Sequence, residues 1–502
     1  MMTLRVVAIA ALVLLATGPS GRAAETPVVD VGGLKAALAR AQPGDVIRLA
    51  NGSFSAVAVE GRSYAGTVHI AGSGSTQVAG ITVSKSTNVS FEDLTVKPTS
   101  PREVRVTVKG SSLIAFSRVR FLGSAELGVN LDIARDSSQI RVTDSEFTMC
   151  QSGAPCLQPG GRNITVLRTS FHDCFDCDMV RGGGSGVTIA DSSFERALRR
   201  SGKSHNDLIQ IMGGGPWKLE RNRFGERKFG AAQVFIGPGA NNTSNPVHDV
   251  TVASSLFTGD MAHAIFVGAG QQQKTGPPQR VTIVNNTILS GHSGAIRLGE
   301  PFASLAADQR PTVANNILGV SPNGNCSRAV MVRNLVLSGK PCSGELSGVA
   351  NLDASGAPTA ASSTVIDAAD PAYAPPLDLL GHGRKGAPDI GAIEYGASAP
   401  AAPLSLTVAK KLGFRIGAIR AGGWKLKVTV GLRSGTTLTA RLLQGKRTLT
   451  TKRYAVSGKT RLTFSLPLAA SARKAKRLVL SLRLTGQGNR SVSRTAQVVI
   501  FH

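Results

Sequence analysis

At 502 residues the chain is too long for one ordinary hydrophobic core, so one elongated domain with a smaller companion is expected. The net charge of +26 is unevenly spread: Ala401 to His502 carries 21 Lys and Arg and no Asp or Glu, whereas the first 400 residues hold 36 basic against 31 acidic residues. Strong basicity therefore belongs to one region and not to the whole protein, and no stretch after the first two dozen residues could span a membrane.

The chain opens with Arg5, the apolar run Val6 to Ala16 and the small residues Gly18 to Ala24, which read as a signal peptide over residues 1–24. Val31 to Ala41 can form an amphipathic helix with Leu34, Ala37 and Leu38 on one side. Gln42-Pro-Gly-Asp-Val-Ile-Arg-Leu49 and Asn51-Gly-Ser-Phe54 then give turn, strand, turn. A helix at that place would cover an open sheet end.

A repeat follows. A strand of the form apolar-x-apolar, then polar residues, then Phe or an aliphatic seven places after the start, begins at Val89, Ile114, Ile140, Ile164, Val187, Trp217, Val250, Val281 and Pro311. Successive starts lie 25, 26, 24, 23, 30, 33, 31 and 30 residues apart. β-Branched residues alternate with polar ones, Asn, Asp, Ser and Gly mark turns, and helix formers are scarce. Such units bury their inner faces only by stacking, so the expected form is a β-solenoid of three short strands per coil. The Leu-x-x-Leu-x-Leu pattern of leucine-rich repeats is absent, and propeller blades need longer repeats.

Six cysteines fall into near pairs: Cys150 with Cys156, Cys174 with Cys177, and Cys326 with Cys342. Three local disulfides fit an exported chain. For Cys174-Phe-Asp-Cys177 the alternatives are a redox pair or half of a zinc site, although no second C-x-x-C accompanies it. Gly182–Gly184 and Gly213–Gly215 mirror each other between coils and read as turns, since no Gly-Lys-Ser/Thr follows.

Beyond Leu318 the repeat degrades. Gly396 to Pro403 is a small-residue and Pro linker. About seven alternating strands follow, at 404–408, 424–432, 438–443, 448–455, 461–466, 477–484 and 491–501, with Gly-containing turns between them. The expected organisation is a signal peptide over 1–24, a right-handed parallel β-helix over 25–396, a linker over 397–403 and a basic immunoglobulin-like β-sandwich over 404–502, an all-β protein.

From Val29 to Tyr395 the chain resembles the right-handed parallel β-helix proteins of the pectate-lyase-like superfamily. The carrying residues are Leu34-Lys-Ala-Ala-Leu38, Pro43-Gly-Asp-Val-Ile47, Gly52-Ser-Phe54, the coil strands, His205-Asn-Asp-Leu-Ile-Gln210 and Gly386-Ala-Pro-Asp-Ile-Gly-Ala-Ile-Glu-Tyr395. The resemblance implies a fold more than an activity, because that superfamily includes lyases, hydrolases, epimerases, esterases and non-catalytic proteins. The paired Asp motifs of polygalacturonase-like hydrolases, the calcium-site pattern of alginate and chondroitin lyases and the Asp-Pro-His motif of mannuronan epimerases are not recognisable.

Candidate chemistry gathers on the strand that precedes each repeat start. If Leu131, Val180, Ile209, Val234, Ile265 and Ile296 point inward, the next residues form an outward row: Asp132, Gln158, Arg181, Gln210, Phe235, Phe266 and Arg297. With Gln233 these are the expected substrate-binding residues, planar polar groups gripping hydroxyls and carboxylates while Phe faces stack on sugars. Asp178, Arg181, Lys203, His205 and Asp207 are the candidate catalytic residues. Arg181 or Lys203 would neutralise a uronate carboxylate and His205 would take the adjacent proton, whereas Asp178 and Asp207 would be the pair for a hydrolase. The same two aspartates could instead fix turns by accepting backbone N–H groups.

This reading requires no cofactor; Ca2+ is the one it leaves open, through Asp132, Asp178 and Asp207. The expected partners are an acidic or cell-wall polysaccharide and, for the C-terminal region, an anionic surface. Nucleic acid is not among them, since no reading motif is present. An extracellular, monomeric protein is expected, a polysaccharide-binding one that cleaves its ligand or, alternatively, a non-catalytic surface protein tethered by its basic domain.

Overall fold

The computed structural model describes residues 24–396 and 405–501 apart from short connecting stretches. The longest of these are 100–104, 199–205, 239–244 and 269–275 in the first part and 416–423, 469–476 and 486–490 in the second. The chain divides into two compact units, Met1–Ala397 and Ser398–His502. Residues 1–23 of the expected signal peptide and the expected linker 397–403 lie outside the described residues. Among the described residues no helix is long and apolar enough to cross a membrane.

Among the described residues of the first unit the recurring segments pair in parallel into three sheets of 13, 14 and 10 strands. Sheet 1 carries the repeat starts, and its register brings Val68, Val89, Ile114, Ile140, Ile164, Val187, Trp217, Val250 and Val281 into one inward row. A coil runs, for example, through Ser138–Thr143 in sheet 1, Glu146–Thr148 in sheet 2 and Leu157–Pro159 in sheet 3 before rejoining sheet 1 at Arg162–Leu167. This is a right-handed parallel β-helix, the hand that parallel crossovers between twisted strands favour.

The Phe seven places after each start lies in sheet 2. Phe121, Phe147, Phe171, Phe194, Phe224 and Phe257 are fully buried and stack with centroids 4.3–5.1 Å apart. The rung spacing of parallel strands, about 4.8 Å, lets identical rings meet face to face in offset fashion, each pair adding about 0.5–1.5 kcal/mol beyond its buried area.

Between sheets 1 and 2 the chain turns on the fourth residue after each start, which adopts positive φ although it is not glycine: Asp93, Arg118, Asp144, Arg168, Asp191 and Arg221. Their charges alternate from coil to coil. Arg118 grips Asp93 at 2.6 and 2.8 Å, Arg168 grips Asp144 at 2.8 and 2.8 Å, and Arg221 grips Asp191 at 2.8 and 3.1 Å. One residue further on, side chains point inward and supply what the turning backbone lacks. The oxygens of Ser192, Asn222, Ser255, Asn286, Asn316 and Asn334 each accept the N–H of the coil before. A buried N–H left without a partner would cost about 1–3 kcal/mol.

The charged turn column ends at Arg221 because a strap covers the coils that follow. Residues 349–395 return along this edge, where Ser254, Asn285 and Asn315 replace Asp and Arg and donate to the carbonyls of Leu377, Asp389 and Asp370 at 2.7, 2.8 and 2.8 Å. The Gly386–Tyr395 segment is the strap's clasp: Arg384 and Glu394, both 4% exposed, pair at 2.9 Å. At the other end the helix Val31–Arg40, capped by the Asp30 carboxylate on the N–H of Gly33, buries Leu34, Ala37 and Leu38 as its periodicity predicts.

The described residues of the second unit form two sheets. Ser405–Thr407, Lys425–Arg433 and Arg461–Pro467 form one. Lys411–Arg415, Ser491–Phe501, Arg477–Thr485, Thr437–Gln444 and Arg447–Ala455 form the other, in that order. The connectivity is that of an immunoglobulin-like sandwich. Lys411–Arg415 is an eighth strand beyond the seven expected. It pairs in parallel with the last strand and contains Gly413, a residue that obscures a strand pattern.

Candidate functional site

Sheet 3 brings the expected outward row together. Asp132 pairs with Gln158, Arg181 with Gln210, Gln210 with Phe235, Phe235 with Phe266 and Phe266 with Arg297. Leu157 pairs with Val180, which sets Gln158 beside Arg181. Leu131, Val180, Ile209, Val234, Ile265 and Ile296 are fully buried behind them. Six rung steps make the row roughly 29 Å long.

Its downstream end is an aromatic platform. Phe235 and Phe266 meet edge to face at 5.0 Å, and the Arg297 guanidinium lies 4.6 Å above the Phe266 ring. Gly237 and Gly268, two residues after each Phe, leave room for the two rings. A Cβ at Gly237 would stand 3.0 Å from the Phe235 ring, and one at Gly268 2.9 Å from that of Phe266. His263 accompanies the platform with Nδ1 3.1 Å from the Gly294 carbonyl, and burial holds its imidazole below the ordinary value.

The upstream end is polar and braced from behind. Disulfides Cys150–Cys156 and Cys174–Cys177 close the loops that lead into the strands bearing Gln158 and Arg181, and all four cysteines are buried. Cys326–Cys342 closes a loop near the end of the solenoid. Cys156, Cys174 and Cys177 bring three sulfurs within 4.8 Å of one another, and all three are engaged in these disulfides.

Asp178 and Asp207 each accept a backbone N–H from the following coil. Asp178 Oδ1 accepts the N–H of Asp207 at 2.8 Å, and Asp207 Oδ1 accepts the N–H of Ala232 at 2.9 Å. Both are buried, at 5% and 3% exposure, so as a hydrolytic carboxylate pair they are turned away from solvent. The second oxygen of Asp178 meets Arg181 at 3.0 Å and aims that half-exposed guanidinium along the row. Gln233 also departs from expectation. Fully buried, it donates to the Gly225 and Thr258 carbonyls and accepts from Ser290 at 2.6 Å, so it ties loops together and offers nothing to a ligand. Lys203 and His205 lie outside the described residues.

A second polar cluster gathers around His172 and Asp173, in the coil where titratable residues are densest in the sequence. On sheet 2, His172 contacts Glu146 at 2.9 Å and Asp173 at 2.6 Å, and Asp173 in turn receives Arg196 at 2.8 and 3.0 Å. Glu146 lies two positions before the level of His172, which pairs with Thr148 and Glu195, so the cluster is diagonal across three coils.

The parallel register, stacked interior and two-sheet module define the class: a right-handed parallel β-helix carrying an immunoglobulin-like domain. No family model and no curated protein matches the chain. Among solved structures it is similar to the alginate lyase AlyGC of family PL6, at 12% identity and a TM-score of 0.39, over 78% of this chain and 61% of that one. It is similar also to pectate lyase Pel9A, at 14% and 0.42 over 74% and 97%, and to the PL6 polysaccharide lyase Pedsa3628 from Pseudopedobacter saltans, at 13% and 0.38 over 66% and 94%. The chain thus spans about three fifths of the length of the AlyGC structure.

Proposed function

We propose that this is an extracellular protein whose β-helix binds an acidic polysaccharide along the sheet 3 row and cleaves it by β-elimination. The observation that carries the reading is the row itself: Asp132, Gln158, Arg181 and Gln210 in register with Phe235, Phe266 and Arg297. Polar side chains at one end suit hydroxyls and carboxylates, and flat rings at the other suit sugar faces. Arg181 would neutralise the uronate carboxylate and so acidify the proton at C5. His205 as base removes that proton, with Lys203 the alternative to Arg181 at the carboxylate; the C4–O bond breaks as the C4–C5 double bond forms, and the departing oxygen takes up a proton. Three disulfides suit an oxidising compartment. The basic second unit would hold an anionic surface nearby.

The second reading is a binding-only protein: one oxygen of each candidate hydrolytic carboxylate, Asp178 and Asp207, accepts a backbone N–H, which counts against hydrolysis. Incubation with a panel of acidic polysaccharides separates the cases. New ultraviolet absorbance from unsaturated uronates supports the lyase. New reducing ends without that absorbance would replace it with a hydrolase, and retention of an intact polymer with the rod-like binder.

A further inference from the structure

The second unit has a concave polar face that nothing above assigns. Across the larger sheet the register places Arg453, Thr439 and Arg483 in one cross-strand row, and Arg441 beside Ser481 in the next. With Thr437 and further hydroxyls these line a hollow of about 450 Å3. The three arginines are exposed. Arg453 and Arg483 stand two strands apart, roughly 10 Å, and Arg441 is two residues along the strand between them, roughly 7 Å from Thr439.

Like charges gathered on one sheet face repel. Elsewhere in this chain arginines on neighbouring coils are neutralised by aspartates, as Arg168 is by Asp144. Here the sequence from Ala401 to His502 contains no acidic residue that could do so. The relief has to come from outside. The lining favours a hydrated ligand over a lipid surface, for it consists of guanidinium and hydroxyl groups, and Val479 is the only exposed large apolar side chain among the described residues of this unit. Cations separated by hydroxyl-bearing positions complement a chain in which carboxylates are separated by hydroxyls, and each guanidinium can grip a carboxylate through two N–H groups.

We infer that this face, centred on Arg441, Arg453 and Arg483, is a binding site for a uronate-bearing polysaccharide. The inference rests on the reading that the basic unit takes an anionic partner, and it names the site and the ligand chemistry. It gives the protein a second glycan contact, separate in sequence from the sheet 3 row.

The test uses the full chain and polygalacturonate, by electrophoresis through gels containing the polymer. The triple substitution Arg441→Gln, Arg453→Gln, Arg483→Gln should weaken retention at least tenfold. A charge-matched control, Lys425→Gln, Lys427→Gln, Lys452→Gln, should change it less than twofold, and the contrast should persist in an Arg181→Gln background that weakens the solenoid row. Unchanged far-ultraviolet circular dichroism shows that the variants fold, and arginine-modification footprinting should show the polymer protecting the three arginines. Equal losses in both triple variants would overturn the site while leaving a diffuse anionic attraction. Tighter capture by phosphatidylglycerol vesicles than by polygalacturonate would overturn the ligand. No retention of the parent chain by either would sink the anionic-partner reading as well.

Discussion

Asp178 and Arg181 meet at 3.0 Å, while the other oxygen of the same carboxylate receives the N–H of Asp207 from the next coil at 2.8 Å. One side chain thus couples the stacking of two coils to the aim of the cation on the row. The two functions separate on substitution. Arg181→Gln should weaken binding of acidic oligosaccharides roughly ten- to a hundredfold, the loss of a charge-assisted bond of about 1.5–3 kcal/mol, with a smaller fall in Tm than Asp178→Ala, since the half-exposed site lets Gln and water meet the carboxylate. Asp178→Ala should lower both affinity and Tm, since it strips a buried N–H of its acceptor. Calorimetric titration beside thermal melts checks the pair, and equal Tm losses in the two variants would contradict the division of roles.

The Phe column is the main internal spine. Phe171 is sandwiched between Phe147 at 4.7 Å and Phe194 at 4.8 Å and is fully buried. Phe171→Ala opens a ring-sized void between two rings that cannot close on each other, because the strand spacing holds them apart. The expected cost is about 3–5 kcal/mol. Phe171→Leu refills most of the void and should recover at least half of it in denaturant melts.

The row on sheet 3 was legible in the amino-acid sequence because its two ingredients are local. A repeat locates equivalent residues, and period-two alternation decides which face each takes. Gln233 shows where that logic fails. It sits at the mouth of the strand Ala232–Ile236, where loops crowd the corner, and their unpaired carbonyls recruit the amide inward. Asp178 and Asp207 could not be decided for a related reason: a carboxylate before a strand is equally apt for a turn or a reaction, and only the N–H placed opposite it shows which. The alternating column Asp93, Arg118, Asp144, Arg168, Asp191, Arg221 was readable at a fixed offset from each strand start, yet it becomes meaningful only once consecutive coils are known to touch.

Acid should loosen two of the surface clusters. The Arg196 guanidinium, helped by His172, holds the Asp173 carboxyl down at about 2, and Arg280 with His248 does the same for Asp249. Both lie below the ordinary value of 3.8. A depressed folded value contributes stability that is fully present above about pH 4 and is lost as pH falls through about 2. Tm should therefore fall over that interval, and the double variant Asp173→Asn, Asp249→Asn should fall less steeply while starting lower at pH 6. Because both carboxylates face solvent, added salt should shrink the difference. Parallel Tm–pH curves for variant and parent would refute it.

The strap offers the sharpest energetic contrast. Arg384 and Glu394 pair at 2.9 Å with each side chain 4% exposed, and Arg384 also donates to the Gly391 carbonyl at 2.8 Å. Gly391 in turn donates to the Asn315 carbonyl at 2.8 Å, and Ala392 to the Thr287 hydroxyl at 3.0 Å, so the ion pair is linked directly to the coils it covers. Removing one partner strands a buried charge, and Glu394→Ala should cost about 3–5 kcal/mol. Replacing both, Arg384→Met with Glu394→Met, removes the charges together and should cost much less. Hydrogen exchange localises the effect: amides of residues 365–395 should lose protection in the single variant, while those of Val187–Ala190 and Phe194 in the uncovered coils keep theirs. If the single and double variants lost the same stability, the clasp would be held by shape and backbone bonds, and the ion pair would be incidental to it.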